Sequence, residues 1–120
     1  MEIQITQNNI YQSIREVILT ARRNVKKSAN FNMVQAYWEI GRQIAEAQGG
    51  EKRAKYGSGL LEFLAKNLTA EFGVSFDASN LRKMRQFYSV FQIRDTLCPK
   101  LSWSHYRRLM RISNEKERLT

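Results

Sequence analysis

The chain has 120 residues, enough for one small domain. Its 20 Lys and Arg outnumber 11 Asp and Glu, which gives a net charge of +9, and its 42% hydrophobic content excludes wholesale disorder. One cysteine excludes an intramolecular disulfide framework, and no run of about 18 apolar residues is present to span a membrane. The N-terminal residues lack the pattern of a secretory signal, so we expect a cytoplasmic protein.

A first amphipathic helix is predicted from the apolar residues that follow position 9. They recur at offsets of three and four, as the buried stripe of a surface helix does: Ile10, Ile14, Val17, Ile18, Ala21 and Val25. Asn8 or Asn9 is placed to cap the start of this helix. Residues 2–6 weakly favour a short strand and are the only candidate for one, so we predict a mainly α fold of five to six helices.

A second helix is predicted over residues 31–47, where the apolar arc is wider: Phe31, Val34, Tyr37, Trp38, Ile40, Ile44 and Ala45. Such breadth indicates a central helix with neighbours on two sides, and we expect Tyr37 and Trp38 in the core. Gly41 lies in the middle and costs a helix about 1 kcal/mol relative to alanine. We therefore expect another helix to pass close to Gly41.

Glycines in the middle of the chain mark the predicted ends of helices. Gly49–Gly50 is predicted to end the second helix, and the charged residues 51–58 to form an exposed loop. Ser58 is placed to cap a third helix, and Gly73 to end it. The apolar residues expected inside that helix are Leu61, Leu64, Leu68 and Phe72.

A fourth helix is predicted from Asp77, a good N-cap residue, to about Gln92. Together with the third helix it gives the layout of a helix-turn-helix unit around residues 58–92. The residues expected to face the core are Leu81, Met84, Tyr88 and Phe91. Those expected on the opposite face are Ser79, Arg82, Lys83, Gln86 and Ser89, with Asn80 and Arg85 at its edges.

This outward face of the fourth helix consists of long, donor-rich side chains. Such side chains reach base edges or phosphates when a helix lies in the major groove of DNA. A solvated surface and a protein-contact face give the same polar pattern, and Asn80 also fits a local bond to the first turn of its helix. DNA reading is the interpretation we favour.

A fifth helix is predicted after Ser102, which is placed to cap it, and a sixth helix near Asn114. The core residues of the fifth helix are expected to be Trp103, Tyr106, Leu109 and Met110. Its outward cations are expected to be Arg107, Arg108 and Arg111. Aromatic residues interleaved with arginines suit stacking and phosphate contact, although the aromatic spacing is also that of a core.

Positive charge is concentrated in the last third of the chain. Residues 79–111 contain eight basic residues and one acid, Asp95, for a net charge of +7. Such a field attracts polyanions, of which nucleic acids are the commonest in the cytoplasm, while the simpler explanation is a basic face that keeps the protein soluble.

Catalytic chemistry has little support in the sequence. His105 and Cys98 are the only histidine and cysteine, and neither has a partner at metal-ligand spacing. A two-metal nuclease needs clustered carboxylates, whereas Asp77 and Asp95 are the only aspartates. Residues 56–59 lack the lysine and spacing of a phosphate-binding loop. We expect no catalytic residue, metal or cofactor in these 120 residues.

Several blocks of residues, taken in order, resemble the N-terminal domain of the YhcG family, a family of unknown function. The blocks are Asn30, YWEIG at 37–41, Tyr56–Gly57, LAKNL at 64–68, Asn80–Leu81 with MRQFY at 84–88, and LSWSHY at 101–106. The resemblance runs from about residue 10 to the end of the chain. Each block alone is weak, but the YWEIG, MRQFY and LSWSHY blocks are specific together.

The resemblance implies a helical, DNA-binding-like domain that a PD-(D/E)XK nuclease-like domain follows in longer prokaryotic proteins linked to restriction or mobile DNA. None of that nuclease motif falls in this chain. The resemblance therefore implies a single domain over residues 1–120, cut short at its C-terminal end, with the nuclease-like domain outside it. The family has Gly-Phe-Ser where this chain has Ser75-Phe76-Asp77, and Asp77 adds a negative charge near any bound phosphate.

From the residues and the resemblance together we predict a substrate-targeting module that binds nucleic acid, specifically duplex DNA. The alternative is a module for protein interaction or homodimerisation. DNA binding requires Arg82, Lys83 and Gln86 to be accessible, whereas protein interaction requires an exposed apolar patch.

Overall fold

The computed structural model describes residues 2–49 and 59–119, with side chains described for 6–49 and 59–112. Within these ranges the chain forms five α-helices and two short 3-10 turns and has no strand, so the mainly α prediction is confirmed. The helices are α1 (Glu2–Arg23), α2 (Ala29–Gln48), α3 (Leu60–Phe72), α4 (Ala78–Val90) and α5 (Trp103–Leu119). The 3-10 turns are Val74–Phe76 and Arg94–Thr96. No described helix has both the length and the apolar character needed to cross a membrane.

The first helix begins earlier and ends sooner than predicted. It starts at Glu2, so the strand expected at residues 2–6 is wrong, and Asn8 and Asn9 are exposed inside the helix instead of capping it. The buried side chain of Gln7 extends the inward stripe by one turn, which explains the earlier start. Val25 lies beyond the end of α1 and is 94% exposed, so it does not belong to the buried stripe.

The second helix is central, as its wide apolar arc predicted. The Ser28 side chain caps it by accepting a hydrogen bond from the backbone N–H of Phe31 at 3.1 Å. Trp38 is buried and Tyr37 is half-buried. A Cβ added to Gly41 would lie 2.0 Å from the backbone oxygen of Met84, so α2 and α4 touch backbone to backbone and the predicted close approach is confirmed.

The third helix starts after Gly59, which occupies the N-cap position in a left-handed conformation (φ +82°) and provides no side-chain cap. This replaces the predicted cap at Ser58, and the predicted loop at 51–58 lies outside the described residues. Gly73 ends α3 as predicted, with φ +100° and its N–H bonded to the Thr69 carbonyl at 2.9 Å.

The fourth helix packs more extensively on α2 than on its sequence neighbour α3. Asp77 caps it by accepting the backbone N–H of Asn80 at 2.8 Å, as predicted, and the helix ends at Val90 rather than Gln92. Its fully buried residues are Leu81, Met84 and Phe87. Phe87 was not predicted inside, whereas Tyr88 and Phe91 are only partly buried. Contact with both α2 and α5 widens the buried arc of this helix and carries Phe87 into the core.

The fifth helix runs from Trp103 to Leu119 without interruption, so the separate sixth helix near Asn114 is wrong. Ser102 caps it as predicted, because its Oγ accepts the backbone N–H of His105 at 3.4 Å. Tyr106 and Met110 are buried. Leu109 is 41% exposed, which corrects its predicted place in the core, since α5 contacts the rest of the domain along one side only.

Two hydrophobic clusters meet along α2. The first, which we call the aliphatic core, consists of Ile10, Ile14, Ile18, Ile40, Ile44, Ala47, Leu60, Leu61, Leu64, Leu68, Phe76, Leu81 and Met84. The second, which we call the aromatic core, consists of Phe31, Val34, Trp38, Phe87, Leu97, Tyr106 and Met110, with Tyr88, Phe91 and Trp103 packed against it. The aromatic core fixes α4 and α5 side by side.

Candidate functional site

The cations predicted separately on the fourth and fifth helices lie on one continuous surface. Lys83 and Gln86 of α4 line a cleft of about 140 Å³ together with Arg107, Met110 and Arg111 of α5. We call this the α4–α5 cleft. The aromatic core beneath it joins the two helices through Phe87, whose ring centroid lies 4.9 Å from that of Tyr106.

A second depression borders the other side of α4. We call it the α2–α4 groove, and its lining residues are Ala45, Gln48, Arg82, Arg85, Gln86 and Ser89. Arg85 is half-buried and donates a hydrogen bond from its guanidinium to Oε1 of Gln48, the last residue of α2. This bond fixes Arg85 against α2 while four of the five guanidinium donors remain for a ligand.

The outer side of α5 adds a third group of cations. Ser104, Arg107, Arg108 and Arg111 line a shallow depression of about 200 Å³. Arg108 and Arg111 are exposed and Arg107 is half-buried, because Arg107 lies next to the α4–α5 cleft. We use the term basic surface for the two depressions beside α4 together with this outer side of α5.

The cations of the basic surface have no carboxylate within 4.0 Å among the described side chains, in contrast to Arg15 of α1 and Arg42 of α2. Arg15 pairs with Glu71, and Arg42 pairs with both Glu39 and Glu46. The hydrogen bonds to Glu39 raise the pKa of the Arg42 guanidinium, and those to Glu71 raise the pKa of Arg15. Arg15 and Arg42 are thus neutralised, whereas the cations of the basic surface are clustered on α4 and α5 with no described carboxylate partner.

The two polar residues at the start of α4 differ in their accessibility. Ser79 is exposed in the first turn. Asn80 is half-buried, and its side-chain amide donates to the Val74 carbonyl at 3.4 Å. The side chain of Asn80 therefore makes the local hydrogen bond that is the alternative to DNA contact. A role of Asn80 in nucleic-acid binding stays a prediction.

The histidine and the cysteine make structural hydrogen bonds. Nδ1 of His105 accepts the backbone N–H of Ser102 at 3.0 Å, so the two residues cap α5 reciprocally. The backbone N–H of Cys98 donates to the hydroxyl of Tyr106 at 2.8 Å. Within residues 2–49 and 59–119, no group of three or more His, Cys, Asp or Glu residues is placed to hold a metal ion.

Sequence reasoning missed two residues of the basic surface, Gln48 and Ser104. Ser104 precedes Arg107 by three positions, so helical spacing alone indicates that both share a face. Gln48 meets Arg85 across 37 positions of the chain, and nothing in the local pattern around either residue indicates that contact.

The fold and surface define a small helical domain with six clustered cations on its fourth and fifth helices. The family model for the DUF1016 N-terminal domain matches residues 13–119, and the chain therefore belongs to this family, as predicted. The chain is 44% identical over 84 residues to the protein of Escherichia coli (strain K12) described as "Putative nuclease YhcG". That match covers 69% of this chain and 22% of the relative, so the chain spans about a fifth of the relative's length. No solved structure matches the chain.

Proposed function

We propose that this domain binds duplex DNA through the basic surface and thereby directs a nuclease to its substrate. The observation that carries the proposal is the contiguity of six cations without a described carboxylate partner: Arg82, Lys83, Arg85, Arg107, Arg108 and Arg111. A polyanion supplies the missing negative charge and releases its own counterions on binding.

In this proposal the two helices have different tasks. α4 enters the major groove in the manner of a helix-turn-helix recognition helix, with Ser79, Asn80, Arg82 and Gln86 toward the bases. Lys83 and Arg85 and the α5 arginines contact phosphates on either side. The accessibility that DNA binding requires supports the proposal, since Arg82 is exposed and Lys83 and Gln86 are half-exposed.

The relative and the family support the targeting role. The curated relative is described as "Putative nuclease YhcG", and this chain corresponds to about a fifth of its length. We assign the catalytic step to a PD-(D/E)XK-type domain in the remainder of such proteins, and DNA binding without catalysis to the helical domain itself. The proposal includes a cytoplasmic location and a role in restriction or mobile-DNA processes.

The test is a binding titration at several salt concentrations with duplex DNA, duplex RNA and single strands. Five phosphate contacts, those of Lys83, Arg85 and the three α5 arginines, predict that log K falls with log salt at a slope of about −4.5 for duplex DNA. We expect duplex DNA to bind more tightly than the other nucleic acids. Absence of duplex binding at low salt would refute the proposal. Preferential binding of RNA would show that the basic surface binds RNA and that duplex DNA is not its ligand.

A second candidate function is protein interaction, and the exposed apolar residues of α5 favour it. Leu109 is 41% exposed and Ile112 is 48% exposed, and they lie three positions apart on one helix. A second copy of the chain or a partner protein is then bound through α5. Sedimentation equilibrium together with the DNA titration distinguishes the two functions. Protein interaction is favoured if the chain forms a dimer, if Leu109→Asp dissociates that dimer, and if the dimer binds no DNA.

A further inference from the structure

The side-chain amide of Gln86 differs from the other inward amides of the domain. Six half-buried or buried amide side chains hydrogen-bond within the described part of the chain: Asn32, Gln35, Gln43, Gln48, Asn67 and Asn80. Gln86 is also half-buried, yet its amide has no intramolecular partner among the described residues. A polar group placed in this way retains its full hydrogen-bonding capacity for a ligand.

The position of Gln86 is central in the basic surface. It lines both the α2–α4 groove and the α4–α5 cleft, and no other residue lines both. Arg82 and Arg85 flank it on one side, and Lys83 and Arg107 flank it on the other. A ligand drawn in by these cations therefore meets a neutral amide at the middle of its contact area.

The backbone beneath Gln86 is held in place by two contacts to α2. Met84 packs its carbonyl against Gly41, and Arg85 donates to Gln48. These two residues precede Gln86 by two positions and by one position, so the Cα of Gln86 has little freedom relative to α2. Because the backbone is already fixed, only the side-chain torsions of Gln86 have to be ordered when it binds a ligand.

The chemistry of an amide separates Gln86 from its neighbours. Arginine and lysine only donate hydrogen bonds, which suits phosphate oxygens, whereas an amide donates and accepts at once. Adenine offers the matching pair in the major groove, with N7 as acceptor and the N6 amino group as donor. We propose that Gln86 determines the sequence specificity at one position of the DNA site by reading adenine in an A·T pair, while Lys83, Arg85 and the α5 arginines bind phosphates. This inference rests on the proposed binding of duplex DNA.

The test is selection of bound duplexes from a randomised DNA library by the parent chain and by two variants. We expect the parent to enrich one A·T position. In Gln86→Ala the preference for A·T at that position is expected to fall by roughly five- to a hundredfold. In Gln86→Arg the preference is expected to shift toward G·C, since arginine pairs with guanine. The salt slope of Gln86→Ala stays that of the parent, because no phosphate contact is lost.

The matched control is Gln92→Ala, which removes an exposed glutamine beyond the end of α4 and outside both depressions. It is expected to select the parent's sites. Thermal melting of all variants checks that the fold is retained. A Gln86→Ala variant that selects the parent's sites unchanged, or a parent that binds all duplexes equally, overturns the inference and leaves DNA binding intact. Failure of the parent to bind any duplex overturns the proposed function itself.

Discussion

The two halves of the domain differ both in the residues of their cores and in the treatment of their surface charge. Around the aliphatic core, α1 and α2 each carry one arginine that pairs with carboxylates, Arg15 with Glu71 and Arg42 with Glu39 and Glu46. Around the aromatic core, α4 and α5 carry cations that pair with no described carboxylate. The first half neutralises two of its arginines internally, whereas the second half clusters six cations on adjoining depressions and neutralises none of them with a described carboxylate.

The aromatic core explains how two like-charged helices stay together. Lys83 on α4 and Arg107 on α5 line the same cleft and repel one another. Beneath them the ring of Phe87 packs at 5.1 Å from Trp103 and 4.9 Å from Tyr106, measured between ring centroids. Aromatic pairs contribute about 0.5–1.5 kcal/mol each beyond the burial of their area. The packing of these rings opposes the repulsion between the like charges above them.

The largest expected effect comes from removing the indole that joins the aromatic core to α2. Trp38 is 7% exposed, and its Nε1–H donates to the Phe91 carbonyl. Trp38→Ala is expected to cost about 3–5 kcal/mol in the free energy of unfolding. Urea denaturation measures it, with Trp38→Phe as the milder comparison that keeps an aromatic ring. A loss below about 1 kcal/mol would contradict the burial of this residue.

The next effect concerns the contact between the halves at Gly41. The methyl group of Gly41→Ala would lie 2.0 Å from the Met84 backbone oxygen, so α4 must shift. Overpacking of this kind costs about 1–3 kcal/mol, and we expect DNA affinity to fall with it because α4 carries half of the basic surface. Gly49→Ala is the control, since its added methyl meets only carbonyl oxygens of α2. If the two substitutions lowered the free energy of unfolding and the DNA affinity equally, the close approach of α2 and α4 at Gly41 would not be the cause.

A charge-matched pair of triple variants compares clustered cations of the basic surface with exposed cations elsewhere. Arg107, Arg108 and Arg111 are replaced by alanine in one variant, and the exposed Arg23, Lys26 and Lys66 in the other. Both lower the net charge from +9 to +6 (9 − 3 = 6). The α5 variant is expected to make the salt slope shallower by about 3, while the control changes it little. Similar slopes for both variants would show that net charge alone drives binding.

The smallest expected effect is a pH dependence of the free energy of unfolding that arises from the Tyr11–Glu71 hydrogen bond. The Tyr11 hydroxyl donates to Oε2 of Glu71 at 2.6 Å, which raises the pKa of Tyr11 and lowers the pKa of Glu71. Folding therefore favours protonated Tyr11 and ionised Glu71, so this stabilisation is lost as pH rises above about 10 and as it falls below about 4.

Tyr11→Phe tests this dependence by urea denaturation across pH. Below the pKa of tyrosine the variant is expected to be slightly less stable than the parent, and above it the difference narrows. Burial also raises the pKa of Tyr37, so part of the alkaline decline persists in the variant. A constant difference between the two proteins at every pH would show that the Tyr11–Glu71 bond carries no linkage.

Helical periodicity predicted the outward face of α4 correctly because that face depends only on spacing within one helix. It missed Phe87, whose burial requires α5 to cover a second side of α4. It also divided α5 into two helices, because residues 114–118 resemble the start of a helix. No residue that ends a helix precedes them, so α5 continues through this segment. The joining of Lys83 to Arg107 and of Arg85 to Gln48 depends on tertiary packing, which the spacing of residues along one helix does not encode.

The contact of Gly41 with Met84 lies on the inner side of α4 and is made by main-chain atoms of both helices. Substitutions at positions 82, 83 and 86 leave those atoms unaltered. A library randomised at these three positions would therefore present many different side chains from the same rigid frame. The DNA sequences chosen by its members can be compared as changes in recognition alone, without a change in how the helix is seated.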